Sequence, residues 1–189
     1  MLTDSHDATT ADWAAALLDF WFNDVGEAGW YSHDPDLDRQ CAARFEPLWR
    51  DKRILPADAF LARADDALAA VLLFDQLPRN MFRDTADAFA SDALAREVAR
   101  GAIALGYDIQ IGGAGRLFFY MPFQHSEAME DQTLSLSLFE AAGDARSLEF
   151  ARKHHAIIAR VGRFPHRNAA LGRETRPDEA KAVAEGSGW

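Results

Sequence analysis

The sequence predicts an all-α fold, a single-domain antiparallel stack of about seven to eight helices. Three observations carry the prediction. Apolar residues recur at helical spacing, as in Trp13, Leu17, Phe20 and Trp21, which form one buried stripe. Such segments are separated by glycine, proline or capping side chains. No stretch shows the sustained period-two alternation of strands joined by hairpin turns. With 189 residues, 49% of them hydrophobic, the chain can bury a sizeable core in one domain.

Residues 1–9 read as a flexible N-terminus, and Thr10 as the cap of the first helix. Gly26 and Gly29 mark a loop. Asp34 with Pro35 starts a second helix whose Leu37, Cys41, Phe45 and Leu48 share a face. Pro47 should kink or end it, because proline lacks the donor and clashes with the preceding turn. A third helix, apolar nearly all round and therefore central, spans residues 65–77 and stops before Pro78. An alanine-rich helix follows over residues 91–105, with Gly106 just past its end. A glycine-rich turn leads to the short apolar "RLFFYM", ended by Pro122. Ser126 with Glu127 opens a helix to about Ala142, and Ser147 caps another that Gly162 ends. Pro165 begins a short helix closed by Gly172, and Thr175-x-x-Asp178 resembles a capping box for a last one.

A net charge of −10 argues against a general nucleic-acid or anionic-membrane binder. The longest apolar run, "ALAAVLLF", is too short to span a bilayer. The opening residues have no basic n-region or apolar h-region, so a soluble, cytoplasmic protein is expected. Cys41 is the lone cysteine, which leaves no disulfide framework and no cysteine-based zinc site. No cofactor and no metal site are expected.

Four polar elements are candidates for chemistry. In "DQLPRN", Asp75 sits at a helix end that disfavours a carboxylate, unless Arg79 or Arg83 answers it. In "MPFQHSE", His125, Ser126 and Glu127 are expected at a helix N-terminus. A zinc-deaminase reading of His-x-Glu fails for want of the cysteine pair. His154 shares a face with Phe150, Ile157 and Ile158, as a hydrogen-bonded core histidine would. In "RVGRFPHRNAALGRE", Arg163, His166, Arg167, Asn168 and Arg173 crowd into one loop of an acidic chain. Guanidinium forks there suit carboxylate or phosphate. "GGAGR" lacks the following Lys-Ser/Thr of a phosphate loop, and there is no G-x-S-x-G or HExxH.

Four segments in this order, "LLDFWF", "FDQLPRNMFRDTADAFASDALA", "LFFYMPFQHSE" with Gln132, and "HHAIIARVGRFPHRNAALGR", resemble the bacterial domain-of-unknown-function family 924. The resemblance runs from about Leu17 to Glu179. It departs at Val161, where the family has Phe, and in a softened last motif. The resemblance implies a tetratricopeptide-like helical fold, although no clear sequence repeat is present, and implies no activity. It marks Asp75, Gln76, Arg79, Asn80, Arg83, His125, Ser126, Glu127, His154, Arg163, His166, Arg167, Asn168 and Arg173 as motif positions.

Three functional readings stay open. The leading one is a binding module in which Asp75, Arg79, Asn80, Arg83, His125, Glu127, His154, Arg163, His166, Arg167, Asn168 and Arg173 line a pocket for a small anion or an acidic peptide end. In a second, His125 or His166 is a general base oriented by Glu127 or Asp75, in a hydrolase or transferase acting on a phosphate or ester. In a third, the motifs clasp helix ends structurally. Oligomeric state is not legible.

Overall fold

A computed structural model describes residues 7–184, and every regular element among them is helical. Of eleven α-helical segments, eight have eight or more residues, matching the all-α stack that the sequence predicts. Residues 1–6 of the expected flexible terminus lie outside the described residues. Helix α1 (Asp7–Asp19) already contains Thr10, so Thr10 is not its cap. It widens into a π-helical segment (Phe20–Val25). Gly26, at φ 62°, then turns the chain into the one-turn α2 (Gly26–Gly29), where a loop is expected. That left-handed backbone suits glycine because a Cβ there crowds the main chain.

Asp34 caps α3 (Pro35–Lys52), its carboxylate accepting from the Asp36 N–H at 2.8 Å. Pro47 lies inside α3 and neither ends nor interrupts it. Pro47 and Ala43, four residues earlier, are both exposed, so water can serve the carbonyl that loses its donor.

The third helix is central, as expected, but Pro78 does not stop it. Helix α4 (Ala64–Val71) runs through a π-helical turn (Leu72–Gln76) into α5 (Leu77–Met81). The wider turn and Pro78, which has no N–H, leave carbonyls in need of donors. The Ser91 hydroxyl donates to the Phe74 carbonyl at 2.7 Å, and the Arg79 guanidinium donates to that of Asp75. Ser91 in turn accepts from the Trp49 indole at 2.9 Å, tying α3 to this rod. Residues from Ala67 to Leu77 are buried, packed among α1, α6 (Asp92–Ala104) and α8 (Gly113–Gln124).

After the short α7 (Tyr107–Ile111), α8 passes through Pro122 to Gln124, beyond the expected stop. Helix α9 (Met129–Ala142) returns along α8, and Gly143 with Asp144 reverses the chain into α10 (Ala145–Val161). Gly143 has φ 72°. Asp144 caps α10 by accepting from the Ser147 N–H at 2.6 Å, so the cap lies ahead of Ser147. A 3₁₀ turn (Pro165–Arg167) leads to α11 (Pro177–Ala184). Glu179 reaches back to the Arg176 N–H at 2.7 Å, so the cap is one residue later than Thr175-x-x-Asp178. Ile157, Ile158, Val161, Phe164 and Ala182 form a second small core there. Among the described residues no helix is long and apolar enough to cross a membrane.

Candidate functional site

His125 closes α8, at its C-terminus, and not the N-terminus of the next helix as expected. The chain does not become helical again until Met129, because residues 125–128 form a turn in which the Ser126 hydroxyl accepts from the Ala128 N–H at 3.2 Å. Gln132 donates to the Gln124 and Ser126 carbonyls at 2.7 and 2.6 Å, which fastens the segment carrying His125.

Facing His125 is Asp75, on the π-helical turn and fully buried. The His125 Nδ1 lies 2.8 and 2.9 Å from the two carboxylate oxygens. Gln76 donates to the same carboxylate, and Arg79 lies 3.4 Å from it. Burial alone would favour a protonated Asp75, but the Arg79 and His125 sides outweigh it and hold the carboxyl well below its usual range. An ionised carboxylate only accepts, so His125 carries its ring proton on Nδ1. Burial, with Arg79 adding to it, lowers the proton affinity of the whole imidazole against the pull of Asp75. His125 is therefore neutral near pH 7, with Nε2 as its bare nitrogen.

His125 lines a cavity of about 730 Å³, and Asp75 stands behind it. One part of the wall is polar: Gln76, Arg79, Asn80, Arg83, Arg116 and His154. Another is apolar, with Trp30, Leu117, Met121 and Phe139. Tyr31 and Phe150, 57% and 41% exposed, line its open side. The Trp30 indole donates to the Trp21 carbonyl at 2.8 Å and packs edge-on against Phe118, which fixes the α2 side. Arg83 and Asn80 are set by Asp38 of α3, with contacts of 2.7, 2.8 and 2.9 Å. Arg116 donates through Nε to the Tyr120 hydroxyl at 2.6 Å, and Tyr120 donates to Asp108. His154 donates from Nδ1 to the Phe150 carbonyl at 2.8 Å, and its ring lies 6.2 Å from that of His125. Burial, then the neighbouring His125, brings its proton affinity down to about 4.

The arginine-rich loop does not line this cavity. Arg167 is buried, sandwiched by Phe89 and Phe164 at 4.6 Å each. It donates to the His125 carbonyl at 2.8 Å and approaches Asp92 at 3.4 Å. Arg79 grips the same Asp92 with two bonds, 3.0 and 3.1 Å. The segments that carry Arg79 and Arg167 thus meet on one acid, Asp92. Arg173 forms a fork on Glu127 at 2.8 and 3.0 Å, and Glu127 also accepts from the Phe164 N–H. Arg163, Arg176 and Asn168 all converge on Glu179, which is fully buried. Arg163, with Arg176 beside it, holds the Glu179 carboxyl down to about 2. His166 is exposed and its ring is 5.6 Å from that of Phe164.

Of the predicted residues, Asp75, Arg79, Asn80, Arg83, His125 and His154 come together around the cavity, while Glu127, Arg163, His166, Arg167, Asn168 and Arg173 stand behind it or in the C-terminal clasp. Sequence reasoning missed Asp92, Asp38 and Arg116. Asp92 had one readable signal, an acid in the first turn of a helix. Asp38 had none, because its partners lie more than forty residues away. Among the described residues no three His, Cys, Asp or Glu side chains come close enough to hold a metal ion.

A helical stack whose buried Asp–His pair adjoins an arginine-lined cavity defines the class: an all-α protein with a polar site built at helix ends. The chain belongs to DUF924, a family of bacterial proteins of unknown function whose profile matches residues 17–187. It is similar in structure to the protein of unknown function ATU0120 from Agrobacterium tumefaciens, with a TM-score of 0.86 and 39% identity. That similarity covers 94% of this chain and 99% of the other. A comparison with curated proteins gives no match.

Proposed function

We propose that the cavity binds a small anionic molecule. The reading rests on the charge of its wall. Four arginines line it, Arg79, Arg83, Arg116 and Arg146, against two acids, Glu27 and Asp144. The rest of the molecule has the opposite balance, with a net charge of −10 for the whole chain. A cationic, partly water-excluded recess in an acidic protein concentrates anions and strengthens each contact made inside. Among the described residues Arg79 is held by Asp92, Arg83 by Asp38 and Arg146 by Glu27, whereas Arg116 uses its Nε alone, on the Tyr120 hydroxyl and 4.0 Å from Asp108. The Arg116 fork therefore offers Nη1 and Nη2 to a carboxylate or phosphate.

The apolar part of the wall favours a ligand with a hydrophobic body over inorganic phosphate. A cavity of about 730 Å³ has the size of a metabolite site. The tetratricopeptide-like arrangement and the cytoplasmic setting belong to the same proposal; the α8–α9–α10 hairpins and the single buried cysteine support them.

Titration calorimetry tests it, with inorganic phosphate, adipate and an aryl-bearing carboxylate as probes. The aryl carboxylate should bind most tightly, and Arg116→Ala should weaken it about tenfold or more. Arg163→Ala, in the C-terminal clasp, should leave it unchanged. Equal binding by wild type and Arg116→Ala overturns the assignment.

A further inference from the structure

We propose that His125, oriented by Asp75, is a general base that activates water against an ester bond in a carboxylate-bearing substrate held in the arginine-lined cavity. The proposal rests on the anion-binding reading of that cavity.

Two alternatives for the base are separated by geometry. Glu127 is committed to Arg173 and the Phe164 N–H, so it does not orient His166. His166 is exposed and away from the cavity. His125 lines the cavity, and its Nδ1 is held by both oxygens of a fully buried carboxylate. The carboxylate is locked in turn by Gln76 and faces Arg79, whose guanidinium is pinned by Asp92. Because Nδ1 is the donor to Asp75, Nε2 is left as the acceptor, and the base is neutral where it must be. Among the described residues no serine or cysteine bonds to the His125 ring, so water is the nucleophile.

The step balances as follows. Nε2 takes one proton from water, and the water oxygen forms a bond to the ester carbonyl carbon. The displaced carbonyl electrons make an oxyanion, which is stabilised by the positive field of the arginines around the cavity. Collapse of that adduct breaks the bond to the leaving oxygen, which receives the proton from Nε2. A carboxylic acid and an alcohol leave, and His125 is neutral again. The apolar wall takes the hydrophobic side of the ester, and Arg116 takes the carboxylate.

The tautomer is tested first, by long-range proton–nitrogen spectra of labelled protein at pH 7, with the His125 signal assigned through His125→Gln. The expected result is a proton on Nδ1 and a bare Nε2. A proton on Nε2, or an imidazolium, overturns the proposal without reference to any substrate. The kinetic arm uses the mono-nitrophenyl ester of adipic acid, with its non-hydrolysable ketone isostere, in which CH2 replaces the bridging ester oxygen, as a binding probe. Wild type should turn over saturably, kcat should fall at least about 100-fold in His125→Gln, and Arg116→Ala should raise KM with kcat kept. Binding of the isostere to both proteins with equal turnover in both overturns the catalytic role and leaves the anion pocket standing. Neither binding nor turnover overturns both.

Discussion

Asp92 is the residue on which Arg79 of α5 and Arg167 of the 3₁₀ turn both depend. It is buried at the start of α6 and faces two guanidinium groups, Arg79 and Arg167, themselves largely buried. Burial, with Arg79 close by, brings the Arg167 guanidinium down to about 10, so this cation is already costly to hold. Removing the shared acid leaves two desolvated cations with weaker partners. Asp92→Ala should therefore cost about 3–5 kcal/mol of stability, read from urea unfolding. The exposed pair of Asp24 with Arg44, at 3.1 Å, serves as the comparison. Asp24→Ala should cost less than about 1 kcal/mol, since water screens that pair. Similar losses for the two variants would mean that Asp92 is not the hub that its contacts describe.

Pro47 and Pro78 show how an element can outrun its local signals. Both are expected to end helices, and both lie inside helical rods. Pro47 is exposed, so water takes the place of the missing bond. Pro78 is buried, so a protein donor has to be found, and Ser91 supplies it from thirteen residues on. Ser91→Ala should leave the Phe74 carbonyl without its donor and the Trp49 indole without its acceptor, for a loss of about 2 kcal/mol in thermal or urea unfolding. Adding Trp49→Phe should cost less than the two single losses summed, because the indole N–H is then already gone. Strict additivity would break the relay. The same elements show why part of the molecule was legible in the sequence. Apolar spacing placed α1, α3, the central rod and α10, because burial of one helix face depends on local periodicity. The Asp34 cap and the glycine stops were legible for the same local reason. The π turn that presents Asp75 was not, since it depends on Ser91 and Arg79 reaching in from outside the turn. Pro122 signals a break that would put His125 at the start of the next helix, but α8 runs through it and is closed by His125. The candidate site was half legible. Its polar residues stand out in composition, but which of them face a cavity is decided by Asp38, Asp92, Glu127 and Glu179, acids whose pairing is set by the tertiary fold.

Across the whole molecule the depressed histidines and the buried acids set a direction for pH. His154 has an ordinary pKa of 6.5 when unfolded and about 4 when folded, through burial and the His125, Arg167 and Arg79 groups near it. The unfolded chain therefore binds its proton first as pH falls. The stability that this group contributes is complete above about pH 6.5 and is lost as pH falls through about 4. That shift corresponds to about 3 kcal/mol. His125, lowered by burial, acts in the same sense. Asp75, Glu127 and Glu179 have carboxyls held below their usual range, so their contributions persist above about pH 4.5 and fade below it, Glu179 down to about 2. Both sets push one way, and acid unfolding should come in two stages. Urea midpoints measured from pH 8 to pH 3 should fall first between about pH 6.5 and 4, then more steeply. His154→Leu removes a titrating group whose Nδ1 donates to the Phe150 carbonyl. It should flatten the first stage by about 3 kcal/mol and leave the second in place. An unchanged slope between pH 6.5 and 4 in that variant would mean that His154 titrates as it does in the unfolded chain, and that the cavity wall is wetter than its packing describes.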